Sequence, residues 1–353
     1  MTELTEQERE FAREAAATPR PEGSVRVAGI DCGTNSIRLM IADVDEAGLH
    51  VRVPRIMDVI RLGQDVDRNH AFAPVALERA YASVARFAEI IRLAGGVDRI
   101  HFVATSATRD ASNREEFEDE VERLLGARPE VIPGTQEARL SFLGATSHLS
   151  AQQLRDKAPL LVVDLGGGST EMVLGGTGEQ ASEVAQSISM NIGSVRMSER
   201  HLLSDPATAE QIAQAQDDID GVLHDALRTV NLEKTRTLIG VSGTITTLSL
   251  AAQGEKVYSR ELVDGVQVSI ENAKKAADMI LSLSTKDMES WPVIHPGRRD
   301  VIGGGVLVYS RLLTLVNALT RKAGHEITSY TASERGLLEG IILDAGRSML
   351  ASR

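Results

Sequence analysis

Hydrophobic and polar positions alternate early in the chain. The runs Val25-Arg26-Val27-Ala28-Gly29-Ile30 and Ile37-Arg38-Leu39-Met40-Ile41-Ala42 bracket Asp31-Cys32-Gly33-Thr34-Asn35-Ser36. This pattern predicts a β-hairpin with a small-residue tip. Apolar Leu77, Tyr81, Val84, Phe87 and Ile91 then recur at helical spacing after Pro74 and end before Gly95, which predicts a helix over 74–94. A strand from Ile100 to Thr105 follows, and then a helix whose start has capping-box spacing at Ser112 and Glu115. Its apolar face is Phe117, Val121, Leu124 and Leu125, and Gly126 ends it. Leu160-Leu161-Val162-Val163-Asp164 reads as a buried strand that delivers a carboxylate to a sheet edge. Strands alternating with helices predict an α/β fold.

The start of the chain recurs. Asp164-Leu165-Gly166-Gly167-Gly168-Ser169-Thr170-Glu171 matches Asp31 to Arg38 in kind, with Gly two and Ser five positions after the Asp, at an offset of 133 residues. That offset is about one domain. The expected organisation is a tail over 1–23, a first domain over 24–135 plus 332–353, and a second over 136–331. The tail is Glu- and Ala-rich and is broken at Thr18-Pro19-Arg20-Pro21-Glu22-Gly23, so partial disorder is expected there. Further elements expected downstream are a helix over 209–230, a strand over 237–241 running into Ser242-Gly243-Thr244, and a helical region over 272–283. A long helix from near Arg298 to Ala323 and a closing strand and helix over 327–349 complete the set. Gly303, Gly304 and Gly305 weaken that long helix by about 1 kcal/mol each, which suggests a close backbone approach.

Composition narrows the function. At 353 residues, with 42% hydrophobic and 25% charged positions, the chain can build two or three cores. A net charge of −12 argues against sequence-independent binding to nucleic acid, which needs many Lys and Arg contacts to phosphates. The single cysteine, Cys32, forms no internal disulfide, and zinc-type Cys/His spacings are absent. No run of about 18 apolar residues is evident, and the start lacks the pattern of a signal peptide. A cytoplasmic protein without a membrane span is expected.

The candidate chemistry is anion binding. Gly33, Thr34, Asn35 and Ser36 in the first turn, and Gly166, Gly167, Gly168 and Ser169 in the second, would each offer backbone N–H groups as a phosphate nest. Either turn alone is equally well read as a Gly/Ser hairpin; the matched pair points to two cradles. Arg38 leaves the first turn, Arg109 follows a strand end, and Arg298 opens the Gly-rich helix, so all three are candidate anion ligands. Glu137 follows the Pro133-Gly134 bend and Glu171 lies two residues past the second cradle, which makes them candidates for proton transfer and water orientation. Asp31 and Asp164 at strand ends are natural oxygen ligands for magnesium.

Taken in order, these segments, together with Ala104-Thr105-Ser106-Ala107-Thr108-Arg109, Gly134-Thr135-Gln136-Glu137-Ala138-Arg139, Ser242-Gly243-Thr244 and Pro296-Gly297-Arg298-Arg299-Asp300-Val301-Ile302, resemble the motifs of the exopolyphosphatase / guanosine pentaphosphate phosphatase (Ppx/GppA) family. The resemblance implies two ribonuclease-H-like domains of the actin and sugar-kinase type with an interdomain active-site cleft. It implies magnesium-dependent, or alternatively manganese-dependent, release of terminal phosphate from polyphosphate or of the γ-phosphate from guanosine pentaphosphate. By the same resemblance Glu137 is the base and Glu171 positions water and contributes to the metal site with Asp164 and Asp31. Arg38, Arg109, Arg298, the two glycine loops and Ser242, Gly243 and Thr244 hold phosphates, and a homodimer is expected. Three departures stand out: Gln136 replaces a further Glu, Gly303-Gly304-Gly305 replaces the commoner small-residue run with alanine, and the chain is expected to lack the helical C-terminal domains of larger members, from which a preference for short polyphosphate is expected. Two rivals remain at this level, an ATP-dependent kinase or ATPase of the same fold and a non-catalytic sensor of these ligands.

Overall fold

The computed structural model describes residues 4–353. By internal contacts the chain forms two units: one runs to Ser147 and takes back Leu337–Arg353, and the other is His148–Gly336.

The first unit is built on β1 (Val25–Cys32), β2 (Ser36–Asp45), β3 (Gly48–Val59), β4 (Arg99–Ala104) and β5 (Glu130–Val131), in the order β3-β2-β1-β4-β5. The first three strands form an antiparallel meander, and β4 and β5 add in parallel. One face is covered by apolar residues that include Phe87 of helix α2 (Pro74–Leu93), with Phe102 and Phe117. The other face buries Val27, Met40 and Val44 against Leu338 and Ile342 of the C-terminal helix Leu337–Ala351.

The second unit repeats the plan. Its strands are β6 (Leu160–Leu165), β7 (Thr170–Gly175), β8 (Val184–Met190), β9 (Thr237–Val241), β10 (Gln267–Ser269) and β11 (Ser329–Ser333), ordered β10-β11-β9-β6-β7-β8. Read from the meander, β8-β7-β6-β9-β11 matches β3-β2-β1-β4-β5, with β10 added at the edge. This is the mixed-sheet α/β architecture that the resemblance implied, present twice.

Several expectations are corrected. The supposed tail forms helix α1 (Glu6–Ala17), with a capping box between Thr5 and Glu8 and with Ala12 and Ala15 fully buried. It is anchored by an ion pair of 3.0 Å from Arg86 to Glu8 and by Arg26, whose Nη1 donates to the Ala15 carbonyl at 2.9 Å. Small alanines at helical spacing gave a weak apolar signal that tertiary packing turned into a contact face. The boundary between units falls after Ser147, not after residue 135, because helix α3 (Gly134–Thr146) packs on the C-terminal helix, with Leu140 and Ile341 in one cluster. Glu137 therefore belongs to the first unit. The return to that unit falls at Leu337 rather than at 332.

Asn113, not Ser112, starts the helix ending at Leu125, and its side chain accepts from Phe72 N at 2.8 Å and donates to Phe72 O at 3.2 Å. The helix expected over 209–230 ends at Ala226. The long Gly-rich helix starts at Ile302, after a 3₁₀ turn at Pro296–Arg298, and ends at Lys322. Contrary to the expectation of no long apolar run, Ile302–Lys322 is by length and composition long and apolar enough to cross a bilayer. Val306, Leu307, Val308, Leu312, Leu313 and Val316 along it are buried inside the unit.

Candidate active site

Each meander presents its first hairpin at the end where the parallel strands also terminate. In open α/β sheets that end carries the ligand-binding loops. Cys32 O accepts from Thr105 N at 3.1 Å, and Ala104 O from Ile132 N at 3.1 Å, so the ends of β1, β4 and β5 lie level.

The two tips close identically, with Gly33 N donating to Ser36 O at 3.0 Å and Gly166 N to Ser169 O at 2.9 Å. Their remaining carbonyls are held from behind. In the first unit Thr34 O accepts from Gly63 N at 2.7 Å, and Asn35 O accepts from Ile60 N at 3.0 Å and Arg61 N at 2.9 Å. In the second, Gly166 O accepts from Ser194 N at 3.0 Å, and Gly167 O from Val195 N at 2.8 Å and Arg196 N at 3.1 Å. Gly168 O accepts from Arg196 Nε at 2.8 Å. A trans peptide is planar, with its N–H antiparallel to its C=O. Fixing these carbonyls on one side therefore directs the N–H groups of residues 35 and 36, and of 167 to 169, to the other. Successive N–H groups aimed into one concavity make an anion nest.

Acidic and basic side chains flank the nests at equivalent register. Asp31 lies opposite Arg38 on β1 and β2, and Asp164 lies opposite Glu171 on β6 and β7. Directly opposed residues share a sheet face. Arg38 Nη1 donates to Asp31 Oδ2 at 2.9 Å. Burial pushes the Asp31 carboxyl above the ordinary value, and the charges of Arg38 and Arg55 pull it back only in part. Glu171 is buried and accepts from Ser189 Oγ on β8 at 2.7 Å. Cys32, next to Asp31, is buried with its thiol pushed up by desolvation and by that carboxylate, so it is held as an unreactive thiol.

Glu137 sits in the first turn of α3 and is buried. Arg109 Nη1 bridges to it, donating to Glu137 Oε2 at 2.8 Å and to Ile132 O at 2.9 Å. The structure thus brings two of the predicted residues into one ion pair, joining the end of the β4 loop to α3. In the second unit Ser242 adopts φ +97°, a strained conformation for a residue with a side chain, and its Oγ donates to Leu165 O at 2.6 Å. It precedes helix α4 (Gly243–Ala252), whose N-terminal N–H groups favour negative charge. The Arg298 guanidinium lies against Gly243 so closely that a Cβ there would overlap it. Gly243, Thr244 and Arg298 are thereby gathered at one helix start.

Among the described residues no cluster of three Asp, Glu, His or Cys side chains forms a ready metal cage. Asp164 and Glu171 supply two carboxylates on one face, which suits magnesium, an ion held by one or two carboxylates with water and phosphate oxygens completing its shell. Asp31, also a candidate ligand by sequence, is engaged by Arg38.

Sequence reasoning missed Ser189, Arg196 and the segment 60–63, all of which follow or lie on the third strand of a meander. Neither third strand was anticipated: β3 contains Pro54 and β8 has a polar, short-period pattern. Gly193 was the available signal, because glycine is among the residues found at helix N-caps, the position it takes here.

A model of the Ppx/GppA phosphatase family matches residues 40–348. Exopolyphosphatase 2 of Mycobacterium tuberculosis is 42% identical over 327 residues, covering 90% of this chain and 98% of its own. A crystal structure of an exopolyphosphatase-like protein matches with TM-score 0.90 at 56% identity, covering 93% of this chain and 100% of the other. A PPX-GPPA enzyme of Aquifex aeolicus matches with TM-score 0.72 at 28% identity, covering 91% and 99%.

Proposed function

Because this chain belongs to the Ppx/GppA phosphatase family, we propose that it is an exopolyphosphatase, releasing terminal phosphate from inorganic polyphosphate by attack of water. The observation that carries this reading is the doubled nest: two loops with their carbonyls fastened behind them, each flanked at the same register by two charged side chains, one buried and one half-buried. A chain of phosphates is a repeating anion, and a backbone cradle takes up its oxygens without reading any base.

Phosphoryl transfer needs the charge on the equatorial oxygens neutralised and a water placed in line. In this reading the N–H groups of the two loops, with Arg38, Arg298 and the start of α4, take up phosphate oxygens. Glu137 accepts the proton of the attacking water, and Arg109 holds its carboxylate in place. Glu171 orients the water. Asp164 and Glu171 would hold magnesium, which when bound supplies positive charge to the phosphate oxygens. Asp31 orients Arg38.

The test is phosphate release by purified protein, with and without magnesium, from short and long polyphosphate, guanosine pentaphosphate and ATP. Polyphosphate turnover is expected, and Glu137→Gln should lower it by about 10²- to 10⁴-fold, the span for a lost general base, with folding intact. Release from ATP alone, or full turnover in Glu137→Gln, would reject the assignment. The ratio of short-chain to long-chain rates reads out the expected preference for short chains.

A further inference from the structure

We infer that Ser189 is a positioning residue for Glu171, fixing which carboxylate oxygen faces the reaction. The inference rests on the role proposed for Glu171 and adds a residue to it. Ser189 lies directly opposite Glu171 on the neighbouring strand, and its Oγ donates to Oε1 at 2.7 Å. Glu171 is only 1% exposed, so its carboxylate cannot rely on bulk water to satisfy its oxygens. A hydroxyl that donates to one oxygen holds the carboxylate plane and directs the other oxygen's lone pairs elsewhere.

The duplication provides an internal control. The row across the first meander is Asp31, Arg38, Met57, and across the second it is Asp164, Glu171, Ser189. At the place of Ser189 the first unit tolerates a methionine, so this sheet position does not itself require a hydroxyl. The hydroxyl appears where the middle residue of the row is a carboxylate. Asp164 on the other side is an acceptor when ionised and cannot perform this task, so within the row the donor must come from β8.

The experiment is a set of steady-state measurements on the full chain carrying Ser189→Ala, Ser189→Thr, Glu171→Gln and the Ser189→Ala/Glu171→Gln pair, with thermal melts to confirm folding. Loss of a partner that orients a reacting group typically costs about 10- to 100-fold in activity. We expect Ser189→Ala to lower kcat in that range with KM little changed, and Ser189→Thr, which keeps the hydroxyl, to restore most of it. In the Glu171→Gln background the alanine change should add little, since a residue acting through Glu171 has nothing left to position. Wild-type kcat in Ser189→Ala overturns the inference. So does equal loss in the alanine and threonine variants, or full additivity in the double variant. An unaltered Glu171→Gln enzyme, in contrast, refutes the role of Glu171 itself.

Discussion

Substituting Gly193 by alanine separates the cradle's backbone from its side chains. Gly193 immediately precedes the helix Ser194–His201, with φ −162° and ψ 172°, an extended conformation open to any residue. A Cβ placed on it would nonetheless lie 2.5 Å from Gly167 O, 2.6 Å from Gly167 C and 2.8 Å from Gly168 N. The obstacle is backbone, which has no rotamer by which to escape. Reaching even the 3.0 Å that real Cβ contacts respect moves the loop and the helix start apart by about half an ångström. The bonds that fasten Gly167 O, from Val195 N at 2.8 Å and Arg196 N at 3.1 Å, lie on that same seam. Losing or stretching two bonds worth about 0.5–1.5 kcal/mol each predicts roughly 1–3 kcal/mol, a range shared with overpacking in cores. If that distortion falls on the cradle, substrate KM rises about 5- to 150-fold, with a smaller change in kcat. Gly221→Ala is the control, because Gly221 lies inside the helix Ala209–Ala226 with nothing within 4 Å of its added Cβ. That change should leave kinetics alone and stabilise by about 0.5–1 kcal/mol. Wild-type KM and wild-type melting in Gly193→Ala would refute the claim that fastened carbonyls create the nest.

Two further predictions concern stability. Asp43 is fully buried between Arg26 and Arg52, at 2.7 Å and 2.6 Å; burial pushes its carboxyl up, and the hydrogen bonds and charges of both arginines outweigh this and hold it low. A depressed folded-state value stabilises above the unfolded value of about 3.9 and is lost as pH falls through the folded one. Asp43→Ala should therefore cost about 3–5 kcal/mol in urea unfolding at neutral pH, with the gap to wild type narrowing on acidification to about pH 3; an equal gap at both would disprove the linkage. A chain begun at Ser24 loses α1, leaving Arg26 without the Ala15 carbonyl and Arg86 without Glu8. Each arginine keeps its other carboxylate partner, Asp43 or Asp58, so the loss is one interaction with a charged group apiece, about 1.5–3 kcal/mol each, and the melting midpoint should drop by roughly 5 °C or more; an unchanged midpoint would mean that α1 is a passive coat.

Much of this fold was legible because its signals are local. The hairpin at Asp31 to Arg38, its repeat 133 residues later and the strand Thr237–Val241 running into Ser242 all declare themselves in a few residues. The helix Pro74–Leu93 carries both Pro at its start and Gly just past its end. What stayed hidden depends on partners distant in sequence. Helix α3 joins the first unit through contacts with residues some two hundred positions away, such as Asp344 on Arg139 at 2.9 Å. The role of Arg109 illustrates the same limit. Its position at a strand end suggested an anion ligand, and only the folded chain reveals that its guanidinium already holds Glu137.

The duplicated plan also explains where the chemistry had freedom to diverge. In both units the segment just past the third strand supplies the N–H groups that fasten the tip: residues 60, 61 and 63 after β3, and residues 194 to 196 after β8. One does it as an irregular loop with Arg61 at φ +50°, the other as the start of a helix. Because the tips are fastened through backbone groups in this way, their shape survives wide changes in side chains along the meander. The row of facing residues was thus free to become Asp-Arg-Met in one copy and Asp-Glu-Ser in the other. The first arrangement offers a cation beside its tip and the second a pair of carboxylates, so the two copies present different side-chain chemistry on the same backbone plan.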